Sequence, residues 1–107
     1  MTRHEPETAE LRRLRQKINA LDRRIVGLLN ERAELAREVG RAKTRLGWRA
    51  IRDGDREREV LLRVTMANSG PLPQADLLAL YRRLIAATRA LEARDRADAV
   101  TGIDDVD

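Results

Sequence analysis

The sequence contains no cysteine and no phenylalanine, and it has only one histidine, one tryptophan and one tyrosine. Without cysteine there can be no disulfide bond, no thiolate metal site and no cysteine nucleophile. The single histidine, His4, lies in a polar N-terminal segment, which argues against histidine acid–base chemistry and against a multi-histidine metal site. We therefore expect neither a metal ion nor another cofactor.

Long apolar runs are also missing. No stretch approaches the roughly 20 apolar residues that a membrane-spanning helix needs. The first ten residues, MTRHEPETAE, lack the apolar core of a signal peptide. We expect a cytoplasmic protein with no membrane partner.

The chain has 107 residues, which is enough for one domain. Of these, 42% are hydrophobic and 37% are charged, as is typical of a globular protein. The core has to consist of Leu, Ile, Val and Ala, which favours helices over aromatic-rich strands. The net charge is +4, but Arg and Glu alternate along the chain, as is typical of solvated helix faces. With no interleaved aromatic residues for base stacking, we expect no nucleic-acid partner.

The pattern predicts an all-α chain of three helices. The first runs from about Pro6 to Leu46 and is stopped by Gly47, and the second begins near Asp53 and ends before NSGPLP, residues 68–73. The third begins at Pro73 or Gln74 and fades around Arg94. We expect a flexible N-terminus (1–7), a helical domain (8–94) and a flexible acidic tail (95–107).

The first helix carries two seven-residue rows that are almost entirely apolar. They consist of Leu11, Ile18, Ile25, Arg32, Val39 and Leu46, and of Leu14, Leu21, Leu28, Leu35 and Ala42. The shorter helices can cover only part of this seam, and a second copy of the chain is the simplest cover. The sequence therefore predicts an intertwined helical homodimer.

Cations lie in and beside this seam. Arg32 belongs to the first apolar row, and Arg15 and Lys43 lie on an adjoining row. A buried guanidinium needs an anion, which is either a core acid or a bound ligand, and long side chains can also reach water. Gly40, inside the helix, fits either a tight helix crossing or a close ligand. Taken together, the three cations favour a cationic pocket.

Polar residues also mark the other helices. Asp53 and Glu57 lie at the top of the apolar face of the second helix with Arg56 beside them, which fits helix capping as well as ligand binding. In the third helix Thr88 and Glu92 share a face one turn apart. Thr88 can also satisfy its own helix, and Glu92 can be a solvated acid.

The combination resembles the small all-helical chorismate mutases of the AroQ class. The stretches that carry the resemblance are LRQKINALDRRIVGLLNER, ELAREVGRAK, RDGDRERE and YRRLIAATRALE, in this order and at near-family separations. Such enzymes are intertwined dimers of three-helix chains with two pockets, and each pocket borrows an arginine from the partner. The linker TRLGWRAI is one residue longer than is commonest in the family, so the lid over the pocket is expected to differ.

The resemblance implies a role for each cation. Arg15 looks like the arginine donated by the partner chain, and Arg32 like the in-chain binder of a substrate carboxylate. Lys43 is similar to the cation beside the ether oxygen of the substrate, and Arg56 to a further arginine.

It also implies roles for the polar and acidic residues. Asp53 and Glu57 look like the acids near the ring hydroxyl, and Thr88 matches a position that is often serine. Glu92 matches the glutamine or glutamate opposite Lys43. The catalytic residues implied in this way are Lys43, Glu92 and Arg32.

The implied activity is the [3,3] rearrangement of chorismate, a small dicarboxylate, to prephenate in the shikimate pathway of aromatic amino acid biosynthesis. This reaction needs no nucleophile, metal or cofactor. Alternatives are a mutase acting on 4-amino-4-deoxychorismate, an isochorismate pyruvate-lyase, and a weak mutase activated by a partner enzyme. A non-catalytic helical dimerisation or nucleic-acid-associated module is the alternative from a different class.

Overall fold

The chain folds into helices only. The computed structural model describes residues 5–49 and 53–105, and within these ranges it contains three α-helices and no strand: α1 (Ala9–Arg45), α2 (Gly54–Ala67) and α3 (Gln74–Asp105). The predicted all-α class and the number of helices are confirmed. Among the described residues, no helix has an apolar stretch long enough to cross a membrane.

Helix α1 is bounded by a threonine cap and a glycine. The hydroxyl oxygen of Thr8 accepts a hydrogen bond from the Leu11 amide at 3.1 Å, so α1 begins after Thr8 rather than at Pro6. At the other end Gly47 adopts a φ of 79°, a left-handed conformation that glycine takes without steric cost. The predicted stop at Gly47 is thereby confirmed.

The caps of α2 and the start of α3 also follow the prediction. The Asp53 carboxylate accepts a hydrogen bond from the Arg56 amide at 3.0 Å, as expected for an N-cap. Helix α3 begins at Gln74, and the Leu77 amide bonds to the Pro73 carbonyl at 3.1 Å. Residues 50–52, which belong to the predicted lid and to the start of RDGDRERE, lie outside the described residues.

The predicted end of α3 near Arg94 is wrong, because the helix continues to Asp105. Asp95 explains part of the difference. The guanidinium of Arg37 donates hydrogen bonds from Nε and Nη2 to the two carboxylate oxygens of Asp95, at 2.8 and 2.9 Å. This bidentate pair ties α3 to α1 just beyond the predicted end, and no local sequence pattern reveals it. The proposed division into a helical domain and a flexible tail stays a prediction, and residues 1–4 and 106–107 are not described.

The chain divides into two compact units, Met1–Glu34 and Leu35–Asp107. In the second unit α2 packs against α3, and the most buried described side chains are Ile85 and Thr88 on α3, with 8% and 7% of their surface exposed. Helix α1 has no buried residue in the single chain. The core of the second unit is therefore small and centred on α3.

Candidate active site

Lys43 and Glu92 lie close together where α1 approaches α3. Both side chains are partly buried. Burial raises the pKa of the Glu92 carboxyl, and the nearby charges of Lys43 and Arg96 oppose this rise while Asp95 adds to it. The structure thus brings together the two residues that were assigned to the reacting ether oxygen.

Gly40 is the point of closest approach between α1 and Glu92. A Cβ atom added at Gly40 would lie 3.2 Å from Cγ and 3.5 Å from Cδ of Glu92. Any larger residue would therefore press on the Glu92 side chain. The close approach of another helix to Gly40, which the sequence allowed, is observed, and the residue that approaches is a candidate catalytic acid.

We expect Gly40→Ala to lower kcat by about three- to tenfold, because a displacement of a few tenths of an ångström at a positioned catalytic group already reduces the rate. Stability should change by no more than about 1 kcal/mol, since the helix propensity of alanine offsets the added crowding. Steady-state kinetics and thermal unfolding measure the two effects.

Gly27→Ala is the matched control for this variant. Gly27 is also inside α1, a Cβ there meets nothing within 4 Å, and its seven-residue row, which includes Arg13 and Glu34, is polar. The Gly27→Ala variant should therefore be more stable than the wild-type protein and should keep the wild-type kcat. An equal loss of kcat in both variants would show that the contact with Glu92 is irrelevant.

A groove of about 450 Å³ opens beside Glu92 between the end of α1 and the second half of α3. Its lining includes four arginines, Arg37, Arg41, Arg45 and Arg96, and two acids, Glu92 and Asp95. The hydrogen bonds from Arg37 hold the pKa of Asp95 below its usual value. A groove with this excess of positive charge favours an anionic ligand.

Sequence reasoning missed Arg96. Its guanidinium donates hydrogen bonds to the Arg49 carbonyl at 2.7 Å and to the Thr44 hydroxyl at 3.3 Å, so α3 holds the segment that leaves α1. The available signal was its spacing, because Arg96 follows Glu92 by four residues and therefore shares its face. That signal was lost once the helix was predicted to end near Arg94.

Glu57 of α2 has a partner that the sequence did not predict. Its Oε1 lies 3.1 Å from Nε of Arg89 on α3, and both atoms are buried, so the two form a close ion pair whose geometry is not that of a linear hydrogen bond. Arg89 precedes Glu92 by three residues and places a further cation on this side of α3. Arg56 is exposed and pairs with Glu59 at 3.3 Å.

Thr88 is buried, and its hydroxyl donates a hydrogen bond to the Ile85 carbonyl at 2.9 Å. The hydroxyl proton is thus used within the helix, while the oxygen can still accept a hydrogen bond. The substrate-binding roles of Asp53, Arg56, Glu57 and Thr88 stay predictions.

Arg15 and Arg32 belong to the Met1–Glu34 unit. Arg15 is exposed, and its Nη1 lies 3.3 Å from Oε1 of Glu7. Arg32 is partly buried. Their roles in a shared pocket also stay predictions.

The described residues define a small all-α protein in which a glutamate of raised pKa lines a groove with an excess of arginine, and a lysine lies near that glutamate. Residues 14–93, more than half of the chain, match the family model "Chorismate mutase type II". The chain therefore belongs to the type II chorismate mutase family, the family that the sequence resembled.

Curated relatives carry the same domain within longer proteins. The bifunctional chorismate mutase/prephenate dehydratase of Aquifex aeolicus (strain VF5) is 37% identical over 89 residues, which are 79% of this chain and 24% of that protein. The protein of the same name from Escherichia coli (strain K12) is 45% identical over 73 residues, 67% of this chain and 19% of the relative. The chain thus spans about a quarter or less of these relatives.

Solved structures agree with the family. Chorismate mutase (form II) from Thermus thermophilus superposes with a TM-score of 0.75 at 35% identity, covering 79% of this chain and 96% of that one. Form I from the same organism gives a TM-score of 0.70 at 34% identity, covering 74% and 98%. In contrast to the bifunctional relatives, these chains are matched over almost their whole length.

Proposed function

We propose that this protein is a chorismate mutase that rearranges chorismate to prephenate. The observation that carries the proposal is that Lys43 lies near Glu92, a carboxyl of raised pKa that lines an arginine-containing groove, in a chain of the type II family. Lys43 and a protonated Glu92 would both donate hydrogen bonds to the ether oxygen as the C–O bond breaks. Arg32, and Arg15 from the partner chain, would bind the two carboxylates.

This arrangement needs no covalent intermediate. The enolpyruvyl arm has to be held over the ring, and arginine forks that bind carboxylates bidentately can supply that orientation. Negative charge develops on the ether oxygen in the transition state, and fixed donors in a site that excludes water stabilise it. Lys43 and Glu92 would act on the transition state more than on the bound substrate.

The homodimer is part of the proposal, and the exposure of the apolar seam supports it. In the single chain, the nine Leu, Ile and Val residues of the two seven-residue rows, which end at Leu46 just after α1, have between 39% and 72% of their surface exposed. Leaving such a continuous apolar stripe in water is unfavourable, and two copies packed along it would remove it from solvent. An intertwined pair would also bring Arg15 of one chain to the pocket of the other.

The test is the loss of chorismate ultraviolet absorbance with and without protein, alongside isochorismate and 4-amino-4-deoxychorismate. Faster turnover of chorismate, with prephenate as the product, is expected. Preference for one of the other substrates would assign the alternative activity. Absence of turnover with all three would refute a catalytic role.

The pH dependence should follow the protonation of Glu92. The pKa of this carboxyl is raised by burial, against the opposing charges of Lys43 and Arg96. Only the protonated form donates to the ether oxygen, so kcat should rise as the pH falls through this pKa and level off below it. Glu92→Gln keeps a donor at every pH, so its kcat should be flat over the same range.

Measuring kcat against pH for both proteins is the experiment. Glu59→Gln is a control, because Glu59 is an exposed α2 acid whose pKa is lowered by Arg63 and Arg56. It should keep the wild-type profile. If Glu92→Gln also kept the wild-type profile, the proposed donor role would be wrong.

A partner enzyme and a cytoplasmic location also stay predictions. The bifunctional names of the curated relatives, in which a chorismate mutase accompanies a prephenate dehydratase, are compatible with a partner that consumes the product. Activity measured with and without a prephenate-consuming enzyme tests the first prediction.

A further inference from the structure

We propose that Trp48, the single tryptophan of the chain, is a positioning residue that holds the Lys43 ammonium group at the site. The proposal rests on the proposed function, in which Lys43 stabilises the ether oxygen. The Lys43 Nζ lies 5.7 Å from the centroid of the Trp48 ring, within the range of a cation–π interaction. No role was assigned to Trp48 from the sequence.

The backbone turn at the end of α1 creates this contact. The Trp48 amide bonds to the Lys43 carbonyl at 2.9 Å, and the Gly47 amide bonds to the Thr44 carbonyl at 3.0 Å. With Gly47 at a φ of 79°, these two bonds form a Schellman motif. In that motif the residue after the glycine packs on the side chain five positions earlier, which here is Lys43.

A second contact holds the segment from the other side. Arg96 of α3 bonds to the Arg49 carbonyl at 2.7 Å, one residue beyond Trp48. Trp48 is therefore fixed by its own amide and by its neighbour, although half of its surface is exposed. A ring held in this way can restrict a side chain as flexible as lysine.

The consequence for catalysis is a matter of side-chain entropy. A lysine has four rotatable bonds, and ordering it has a free-energy cost each time it has to be placed against a substrate atom. The ring lowers that cost by restricting the ammonium group before the substrate binds. Because Lys43 acts on developing charge, the benefit should appear in kcat rather than in KM.

The contact itself can be tested without any assay of activity. The chain has only two lysines, Lys17 and Lys43, so ¹H–¹³C spectra of the lysine ε-methylene groups contain two signals. Lys17 is an internal reference, because residues 5–47 contain no Phe, Trp or Tyr. The Lys43 protons should be shifted by the ring current of Trp48, and Trp48→Leu should remove this shift while leaving Lys17 unchanged.

The kinetic arm uses the same variant. Trp48→Leu keeps apolar bulk but has no aromatic face, and it should lower kcat about two- to fivefold with KM unchanged, the effect of losing one exposed cation–π contact. Trp48→Phe should recover most of the loss. Gly47→Ala, which strains the left-handed turn, should remove the ring-current shift and lower kcat by the same factor as Trp48→Leu.

Several results would overturn the proposal. One is the absence of a ring-current shift at Lys43 in the wild-type protein. Another is a Trp48→Leu variant that loses the shift but keeps its kcat, and a third is a rise in KM alone, which would mean that Trp48 contacts the substrate. If the wild-type protein turned over no substrate, the proposed function would fail and the catalytic role of Trp48 with it, while the spectra would still decide whether the contact exists.

Discussion

Replacing Lys43 with methionine should lower kcat for chorismate by about 10²- to 10³-fold, the usual cost of removing one preorganised donor from a developing oxyanion. Methionine keeps the length and the apolar part of the side chain, so the helix and its packing should persist. The charge that faces Glu92 is lost, and the transition state then has only one donor. KM should change much less, since the carboxylates of the substrate are assigned to other residues.

Lys17→Met is the matched control, because Lys17 is the only other lysine and lies in the same helix. It should retain wild-type kcat within about twofold, as expected of an exposed surface substitution. Circular dichroism of both variants shows whether α1 is intact. A Lys43→Met enzyme with near wild-type kcat would mean that the chemistry takes place elsewhere.

The second large effect is the recovery of activity when two inactive variants are mixed. In the proposed dimer, Arg15 contributes to the pocket of the partner chain, whereas Lys43 contributes to the pocket of its own chain. Both pockets are therefore defective in an Arg15→Ala homodimer, and both are defective in a Lys43→Met homodimer. A mixed dimer contains one pocket with both residues intact. Random reassembly of equal amounts should therefore restore about a quarter of wild-type activity, because half of the dimers are mixed and each of these has one good pocket.

The variants should be unfolded and refolded together, and activity compared with that of each variant refolded alone. The control mixture pairs Lys43→Met with Arg32→Ala, because both residues are assigned to the same chain's pocket. Every pocket in that mixture lacks one of them, so no recovery is expected. Recovery in the control, or none in the test mixture, would contradict the assignment of Arg15 to the partner.

Local signals in the sequence were sufficient for most helix boundaries. Asp53 is a short acceptor side chain before the second periodic segment, and Gly47 directly follows the last position of the first apolar row, so both act on backbone groups a few residues away. The end of α3 could not be predicted in this way. It depends in part on the pairing of Arg37 with Asp95, residues 58 positions apart, which becomes visible only when α1 and α3 are in contact.

In the candidate site, too, some features follow from local sequence patterns and others depend on contacts between helices. The position of Lys43 beside the apolar rows and the helical spacing of Thr88 and Glu92 follow from periodicity. The pairing of Glu57 with Arg89 and the contact of Gly40 with Glu92 do not, because a helical period gives the face of a residue but not the neighbour it meets. Gly40 is the clearest example, since its position in the helix gave no indication that it meets Glu92.

By itself the sequence determined the three helices, the apolar seam with its cations, and the absence of cysteine side chains. These features depend on residue type and on spacing within one helix, where the geometry of 3.6 residues per turn is fixed. Tertiary structure alone decided that Gly40 makes room for Glu92, and that Arg37 pairs with Asp95 and Arg96 bonds to the segment after α1. Those contacts depend on how the helices approach and on how the chain turns after α1, and side chains of the same type could pair in many other ways in an unfolded chain.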